Sequence, residues 1–280
     1  MRVVVTGAGG QLGFDILKQL RTHNIECYGL DRNHTDITDF KATKQIIEKY
    51  MPTIVIHCAA YTNVDNAEKN IEECKLVNTS ATANIADVCK SIDAKLMYIS
   101  TDYVFSGNEP LPYEVDSKTM PLSVYGHSKL EGELEVIKRL DKYFVVRTSW
   151  SFGTNGSNFV QTMLRIGTVR DSVNVVSDQF GSPTFTRDLA ELIISMIQTD
   201  KYGIYHATNE GFCSWAEFAE EIYLQAGYST KVNFIKSDDY ITLATRPKNS
   251  MLSKRSLDAV GFNRLPEWKD ALKRYLIHKS

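Results

Sequence analysis

Tyr125 and Lys129 stand four residues apart in a segment, 124–140, whose spacing predicts a helix, so both side chains leave it on one face. A phenol has an ordinary pKa of about 10, and an ammonium close to it favours the phenolate. Such a pair can give a proton to an oxygen while hydride reaches the adjacent carbon, which is the acid–base half of carbonyl reduction. Thr101 follows a strand predicted over 95–100, and its hydroxyl could bind and orient the same oxygen. By itself the tyrosine–lysine spacing equally describes a half-buried aromatic and a solvated charge, and Thr101 a satisfied strand-end hydroxyl. The elements that position them decide between these.

The first of those elements opens the chain. Val3, Val4 and Val5 form an apolar run suited to a central strand buried on both faces. Gly7, Gly10 and Gly13 follow, with a helix predicted over 11–22 and a second strand over 25–30 ending at Asp31. Gly7 permits a tight turn, Gly10 leaves room for a pyrophosphate, and Gly13 lets the helix lie close to the sheet. The free N–H groups and positive end of that helix suit phosphates, and the Asp31 carboxylate suits the hydroxyls of an adenosine ribose. Position 8 is Ala, so the second glycine comes one residue later than in the commonest dinucleotide-binding turn.

Composition narrows the classes further. A formal charge of −2, with both signs well mixed, gives no electrostatic case for nucleic acid or an anionic membrane, and neither is expected as a partner. Cys27, Cys58, Cys74, Cys89 and Cys213 offer neither a CxxC pair nor an even disulfide framework; small core residues in a reducing cytoplasm are expected. The first strand begins at the N-terminus, so no signal peptide is expected, and no apolar run reaches the roughly 20 residues of a membrane span. His57, His127 and His206 have no metal-ligand spacing and read as packing or surface residues. Asp65 and Glu68 read as a helix cap, and Glu131, Glu133 and Glu135 as solvated helix faces. No metal site is expected.

Along the chain, Asp39 is positioned to cap a helix over 40–50, stopped by Met51 and Pro52, and a strand follows over 53–58. A short turn is expected over 65–69, and a long helix over 72–89 with Leu76, Ala83, Ala86 and Val88 on or near its buried side. The aperiodic loop 107–121 reads as an active-site border, and a fifth strand over 143–147 follows the 124–140 helix. Beyond Trp150 the pattern loosens: helices over 158–166, 186–198 (capped by Thr186), 214–226 (capped by Ser214 with Glu217 in a capping box), 253–260 and 266–277, and strands over 173–176 and 202–205. The expected fold is α/β, a Rossmann-type doubly wound parallel sheet with a smaller C-terminal α/β substrate domain. The nucleotide-binding domain is expected over 1–150, with returning segments from 173–208 and 240–252, and the substrate domain mainly over 151–280.

With these residues in hand the chain resembles the dTDP-4-dehydrorhamnose reductase family of the extended short-chain dehydrogenases/reductases. The resemblance rests on residues 7–13, 36–39, 59–62 with 64–65 and 67–68, 100–105, and Tyr125-Gly126-His127-Ser128-Lys129 with Gly132-Glu133. It continues through 147–150, 178–184, 246–250 with Leu252, and 266–268, covering essentially the whole chain. The resemblance implies reduction of dTDP-6-deoxy-L-lyxo-4-hexulose to dTDP-L-rhamnose by NADPH or NADH. Tyr125 would protonate the oxygen, with Lys129 and Thr101 beside it. Gln11 and Leu12 would lie at the pyrophosphate, Asp36 and Ile37 near adenine, and Ala59, Ala60, Tyr61 and Asn78 along the nicotinamide side. Asp102, Tyr103 and Trp150, then Asn158, Gln179 and Arg187, would meet the sugar nucleotide. Arg165, Arg170, Arg187 and Arg246 are candidate donors to its diphosphate. Arg32 could offset the repulsion of Asp31 for a 2′-phosphate, so both cofactors are expected. The oligomer implied is a monomer or homodimer.

Two rival readings stay open on sequence. Another sugar-nucleotide enzyme is one; a dehydratase would carry an acidic pair after the fourth strand, where this chain has Asp102 and Tyr103, whereas an epimerase is not excluded. The other is a non-catalytic partner resembling the beta subunit of methionine adenosyltransferase, against which intact Thr101, Tyr125 and Lys129 argue.

Overall fold

The computed structural model describes residues 1–279, and side chains through residue 277. Its centre is a six-stranded sheet ordered Gly203–His206, Tyr143–Thr148, Lys95–Thr101, Ile54–His57, Arg2–Thr6, Glu26–Leu30. Every pairing in it is parallel. Strand alternation explains why both faces are covered. Val3, Val5, Ile54, Ile56, Phe144 and Val146 point to one side and pack on the helices Gln11–Thr22 and Thr186–Ile197 through Ile16, Leu20, Leu189 and Ile193. Val4, Val55, Leu96, Tyr98 and Val145 point to the other, against Ile47, Ile85, Val88 and Val136. Burying each such side chain is worth about 1.5–3 kcal/mol, so these two layers outweigh local propensity in fixing where the strand ends fall.

The chain leaves Arg2–Thr6 toward one edge and returns to Ile54–His57 on its other side, which makes the carboxyl ends of these two strands the switch point where ligands bind. The helix Val124–Arg139 packs beside the strand Lys95–Thr101 and brings its residues to the same edge. A second core of Phe152, Val160, Phe185, Phe218, Trp268, Leu272 and Tyr275 lies in the C-terminal half. There Ser172–Val176 pairs with Lys231–Ile235, away from the large sheet, whereas Gly203–His206 joins that sheet as an edge strand. Among the described residues no helix is long and apolar enough to cross a membrane.

Three expectations need correction. The long helix over 72–89 is interrupted: Ile71–Lys75 leads into a π-helical turn, Leu76–Ser80, before the α-helix Ala81–Ser91. The wider turn shifts the phase of the helix, so Leu76 is 40% exposed and Asn78 is buried within the turn, while Ala81 and Ile85 are buried beyond it. Thr186 does not cap its helix but is its first residue, and its hydroxyl donates to Asp15 at 2.5 Å. The helix expected over 253–260 is a single turn, Arg255–Asp258. The Ser214–Glu217 capping box is present with both reciprocal bonds.

Candidate active site

The glycine turn is built to hold a nucleotide. Gly7 sits at φ +68°, and a Cβ there would meet Ala59 N at 2.6 Å, so the ends of the two switch-point strands touch only because residue 7 has no side chain. A Cβ on Gly13 would meet Gly7 O at 2.3 Å, so glycine is what lets the helix close against the turn. The N-terminus of that helix has no side-chain cap and no acidic residue in its first turn. Its exposed donors and positive end therefore suit a pyrophosphate, and the chain fits a dinucleotide there.

Asp31 follows the second strand, with Oδ1 accepting from Asn33 N at 2.9 Å and His34 Nδ1 at 2.7 Å, bonds that hold its carboxyl below the ordinary range. Asp36 is likewise held low by the amide and hydroxyl of Thr38, and Arg32 is exposed between them. Tyr61 follows the third strand with its peptide clamped by Asn78: Oδ1 accepts from Tyr61 N at 2.8 Å and Nδ2 donates to Tyr61 O at 3.1 Å. The same Nδ2 lies 3.0 Å from the Ser128 hydroxyl. Asn78, expected along the nicotinamide side, is thus a buried brace between the Tyr61 loop and the helix carrying Tyr125 and Lys129.

Ser123 caps that helix by accepting from Gly126 N, and the Glu68 carboxylate receives Val124 N at 2.8 Å. Glu68 is therefore no cap of its own turn, where Asn63 does that work. Burial pushes the Tyr125 phenol above its ordinary pKa, and the nearby Thr101 hydroxyl acts in the opposite direction. Lys129 is 2% exposed, donates to Ile99 O at 2.7 Å, and stands 3.9 Å from the centre of the Tyr98 ring. Burial brings its pKa down to about 7 against the pull of Glu133. The expectation that Lys129 favours a Tyr125 phenolate is not met. The ammonium is turned to Ile99 and Tyr98, and burial keeps the phenol protonated, which is the state a proton donor needs.

Around this pair stand the residues expected at the sugar. Tyr103 meets Tyr125 edge-on with ring centres 5.5 Å apart, and its hydroxyl accepts from Arg246 at 3.0 Å. Arg246 also pairs with Asp65 at 2.7 Å, so this arginine and this carboxylate are committed to each other. Asp102 is 2% exposed, with Oδ1 accepting from the Thr101 hydroxyl at 3.0 Å. Trp150, at φ +48°, stacks on Trp215 with ring centres 3.7 Å apart, which covers one indole face. Trp215 was missed, because one residue after a capping serine it reads only as the start of a helix.

Asn158 caps the helix Phe159–Gly167 and donates to Gln11 Oε1 at 3.0 Å and Gly153 O at 2.8 Å. Its side chain is occupied by the protein. Gln179 is 8% exposed beside the strand Phe180–Gly181. Arg187 lies near Asp15, whose carboxyl burial raises above its ordinary pKa against the opposing Thr186 hydroxyl and the charges of Lys18 and Arg187. Arg165, in the last turn of the helix Phe159–Gly167, and Arg170, three residues beyond it, are both exposed.

One further reading changes, and one holds. Glu133 is not on a solvated face: it is 1% exposed and bonded to Arg147, itself 3% exposed, through contacts of 2.7–3.2 Å, and it accepts from the Ser100 hydroxyl. His57 and His206 are packing residues. The former bridges Thr6 and Thr82, the latter reaches Tyr113 O and Arg147, and burial lowers both to about 3.

A parallel switch-point sheet, a glycine turn fit for a dinucleotide, and Thr101, Tyr125 and Lys129 beside its edge define an extended short-chain dehydrogenase/reductase. The family model described as "RmlD substrate binding domain" matches residues 1–280. The chain is 38% identical to a dTDP-4-dehydrorhamnose reductase of Aggregatibacter actinomycetemcomitans, covering 97% of each. It is 40% identical to the spore coat polysaccharide biosynthesis protein SpsK of Bacillus subtilis, over 100% of this chain and 98% of the other. A dTDP-4-dehydrorhamnose reductase of Bacillus anthracis, solved in complex with NADP, superposes with a TM-score of 0.97 at 41% identity over 99% of both chains. The chain belongs to the dTDP-4-dehydrorhamnose reductase family.

Proposed function

We propose that this protein reduces the C4 ketone of dTDP-6-deoxy-L-lyxo-4-hexulose to dTDP-L-rhamnose, using NADPH or NADH. The observation that carries the reading is the half-buried Tyr125 phenol, edge-on to Tyr103 and one helical turn from Lys129, on a helix packed beside the strand that ends in Thr101 at the switch-point edge. Membership of the family and its relatives' names support the substrate.

The bound cofactor supplies the hydride. The turn 7–13 and the amides of Gln11 and Leu12 hold the pyrophosphate, Asp31 the adenosine ribose, Asp36 and Ile37 the adenine, and Ala59, Ala60 and Tyr61 line the nicotinamide side. Thr101 orients the ketone oxygen, and Tyr125 gives it a proton as charge develops there. Lys129 holds the nicotinamide ribose. Tyr103 and Trp150 present aromatic surface to a deoxysugar whose methyl makes no hydrogen bond. Arg32, exposed beside Asp31, lets the site accept a 2′-phosphate as well as a free hydroxyl. Residues beyond 150 that do not return to the large sheet form the sugar-nucleotide side.

The test is addition of the 4-keto-6-deoxy sugar nucleotide to protein and reduced cofactor. One cofactor oxidised per sugar consumed is expected; cofactor left reduced while the sugar is consumed points to an epimerase.

A further inference from the structure

We infer that Tyr98 positions Lys129 for the nicotinamide ribose, seating its ammonium on the face of the phenol ring and so keeping it charged where water is excluded; this rests on the reductase reading of the site. Lys129 Nζ stands 3.9 Å from the Tyr98 ring centre and donates to Ile99 O at 2.7 Å. Ring and carbonyl come from consecutive residues of the strand Lys95–Thr101. A cation within about 6 Å of an aromatic centroid is drawn to the negative ring face, most strongly when it is desolvated. Desolvation holds here, with Lys129 2% and Tyr98 0% exposed. An ammonium has three N–H donors. Ile99 O takes one and the ring covers another side, which leaves the remainder for the ribose.

The packing around Tyr98 brings the two groups together. Its hydroxyl lies 3.4 Å from Asn78 O, in the π-helical turn, and 3.4 Å from Lys129 O. Gly132 stands three residues past Lys129 on the catalytic helix, and a Cβ there would collide with Tyr98 Oη and with Asn78 O. Glycine at 132 is therefore what lets that helix settle on the phenol and lower the ammonium onto the ring.

The other groups near Lys129 leave the ring as the partner suited to its charge. Glu133, on the same helix, favours the ammonium, but its carboxylate is already bonded to Arg147. Cys58, just past the third strand, and Cys74, in the helix Ile71–Lys75, are thiols that burial pushes up. Burial likewise pushes the Tyr98 and Tyr125 phenols above their ordinary pKa, so neither carries charge. The His57 ring, 5.7 Å from that of Tyr98, is kept neutral by burial. Burial brings Lys129 itself down to about 7, so losing one favourable contact neutralises it near neutral pH. Tyr98 acts through Lys129 and is a positioning residue.

The experiment compares wild type, Tyr98→Phe, and proteins carrying mono-, di- or trifluorinated phenylalanine at position 98. Fluorine withdraws charge from the ring face and leaves its shape nearly unchanged, so a merely structural role does not follow the series. Lys129 is titrated by NMR of lysines isotopically labelled at Cε, its signal identified by its loss in Lys129→Met. The wild-type midpoint is expected near 7. Tyr98→Phe, which keeps the ring, is expected within about 0.3 of that value, and the trifluorinated ring about one pH unit lower, the scale of a desolvated cation–π contact. Fluorescence titration of NADPH is expected to show affinity falling as pH rises past each midpoint, the fall moving to lower pH along the series. A midpoint that ignores fluorination, or that moves fully in Tyr98→Phe, overturns the proposal. Wild type that leaves NADPH unoxidised in the presence of the keto-sugar nucleotide sinks the reductase reading instead, and the lysine titration, which needs no turnover, still decides what the ring does.

Discussion

Gln11 Oε1 accepts from Asn158 Nδ2 at 3.0 Å across 147 positions of sequence, and from Gly153 N at 2.8 Å. With Asn155 Nδ2 donating to Gly9 O at 2.8 Å, these bonds tie the dinucleotide turn to the segment that leads into the second core. The two halves of the site therefore share one side chain. Gln11→Leu keeps the residue 11 amide for the pyrophosphate but removes both accepted bonds. Each is worth about 1 kcal/mol, so the sugar-nucleotide KM is expected to rise about tenfold while cofactor Kd moves less than about threefold. Steady-state kinetics with fluorescence titration of NADPH check this; equal losses for both ligands would count against it.

Tyr125→Phe removes a proton donor used in the transition state and leaves the ring in place against Tyr103. The chemical step is expected to slow by at least about 10²-fold with cofactor affinity intact. Single-turnover decay of reduced cofactor at saturating sugar measures it, and an unchanged rate rejects the role.

The Glu133–Arg147 pair is nearly sealed from water and also reaches Ser100, Val115 O and His206. Removing one partner leaves a buried charge alone, so Arg147→Met is expected to cost about 3–5 kcal/mol in denaturant unfolding. The double variant Arg147→Met with Glu133→Leu is expected to recover much of that. A double variant as unstable as the sum of both single ones would show that the hydrogen bonds around the pair, rather than the lone charge, carry the cost.

Buried His57 and His206 set the acid limit of stability. Both have folded pKa values near 3, below the ordinary 6.5, so above about 6.5 both states are neutral and stability does not depend on them. As pH falls from there toward 3 the unfolded chain takes up protons that the folded one refuses, and stability is lost, on the order of 1 kcal/mol per pH unit for each histidine. Raised Asp102 works in the opposite sense: its stabilising contribution is full below 3.8 and lost as pH rises through about 6. Melting temperatures from pH 7 to 5, with His206→Gln showing a shallower slope, are the measurement, the histidine term being the larger because two groups contribute to it. A flat profile contradicts it.

Much of this architecture is legible in the residues themselves. The apolar run Val3–Val5, the glycines after it and the Ser214–Glu217 box act over a few positions, and local rules find them. What escapes is decided by partners far along the chain. Glu133 looks solvated until Arg147 is folded onto it, and Asn158 looks free for ligand until Gln11 takes its amide. The π-helical turn at Leu76–Ser80 leaves no compositional mark, yet it shifts the helical phase and buries Asn78 beside Tyr61. Four-residue spacing puts Tyr125 and Lys129 on one face, but only the neighbouring strand decides that Lys129 Nζ turns to Ile99 O.

The central claim is that hydride reaches the sugar's C4 while Tyr125 supplies the proton. Its most direct measurement uses reduced cofactor deuterated at the transferred position, the 4-keto-6-deoxy sugar nucleotide, and NMR of the product. The account predicts one deuterium on C4 of dTDP-L-rhamnose, with Tyr125→Phe giving the same product far more slowly. Deuterium retained in the cofactor, or product formed without cofactor oxidation, would contradict it.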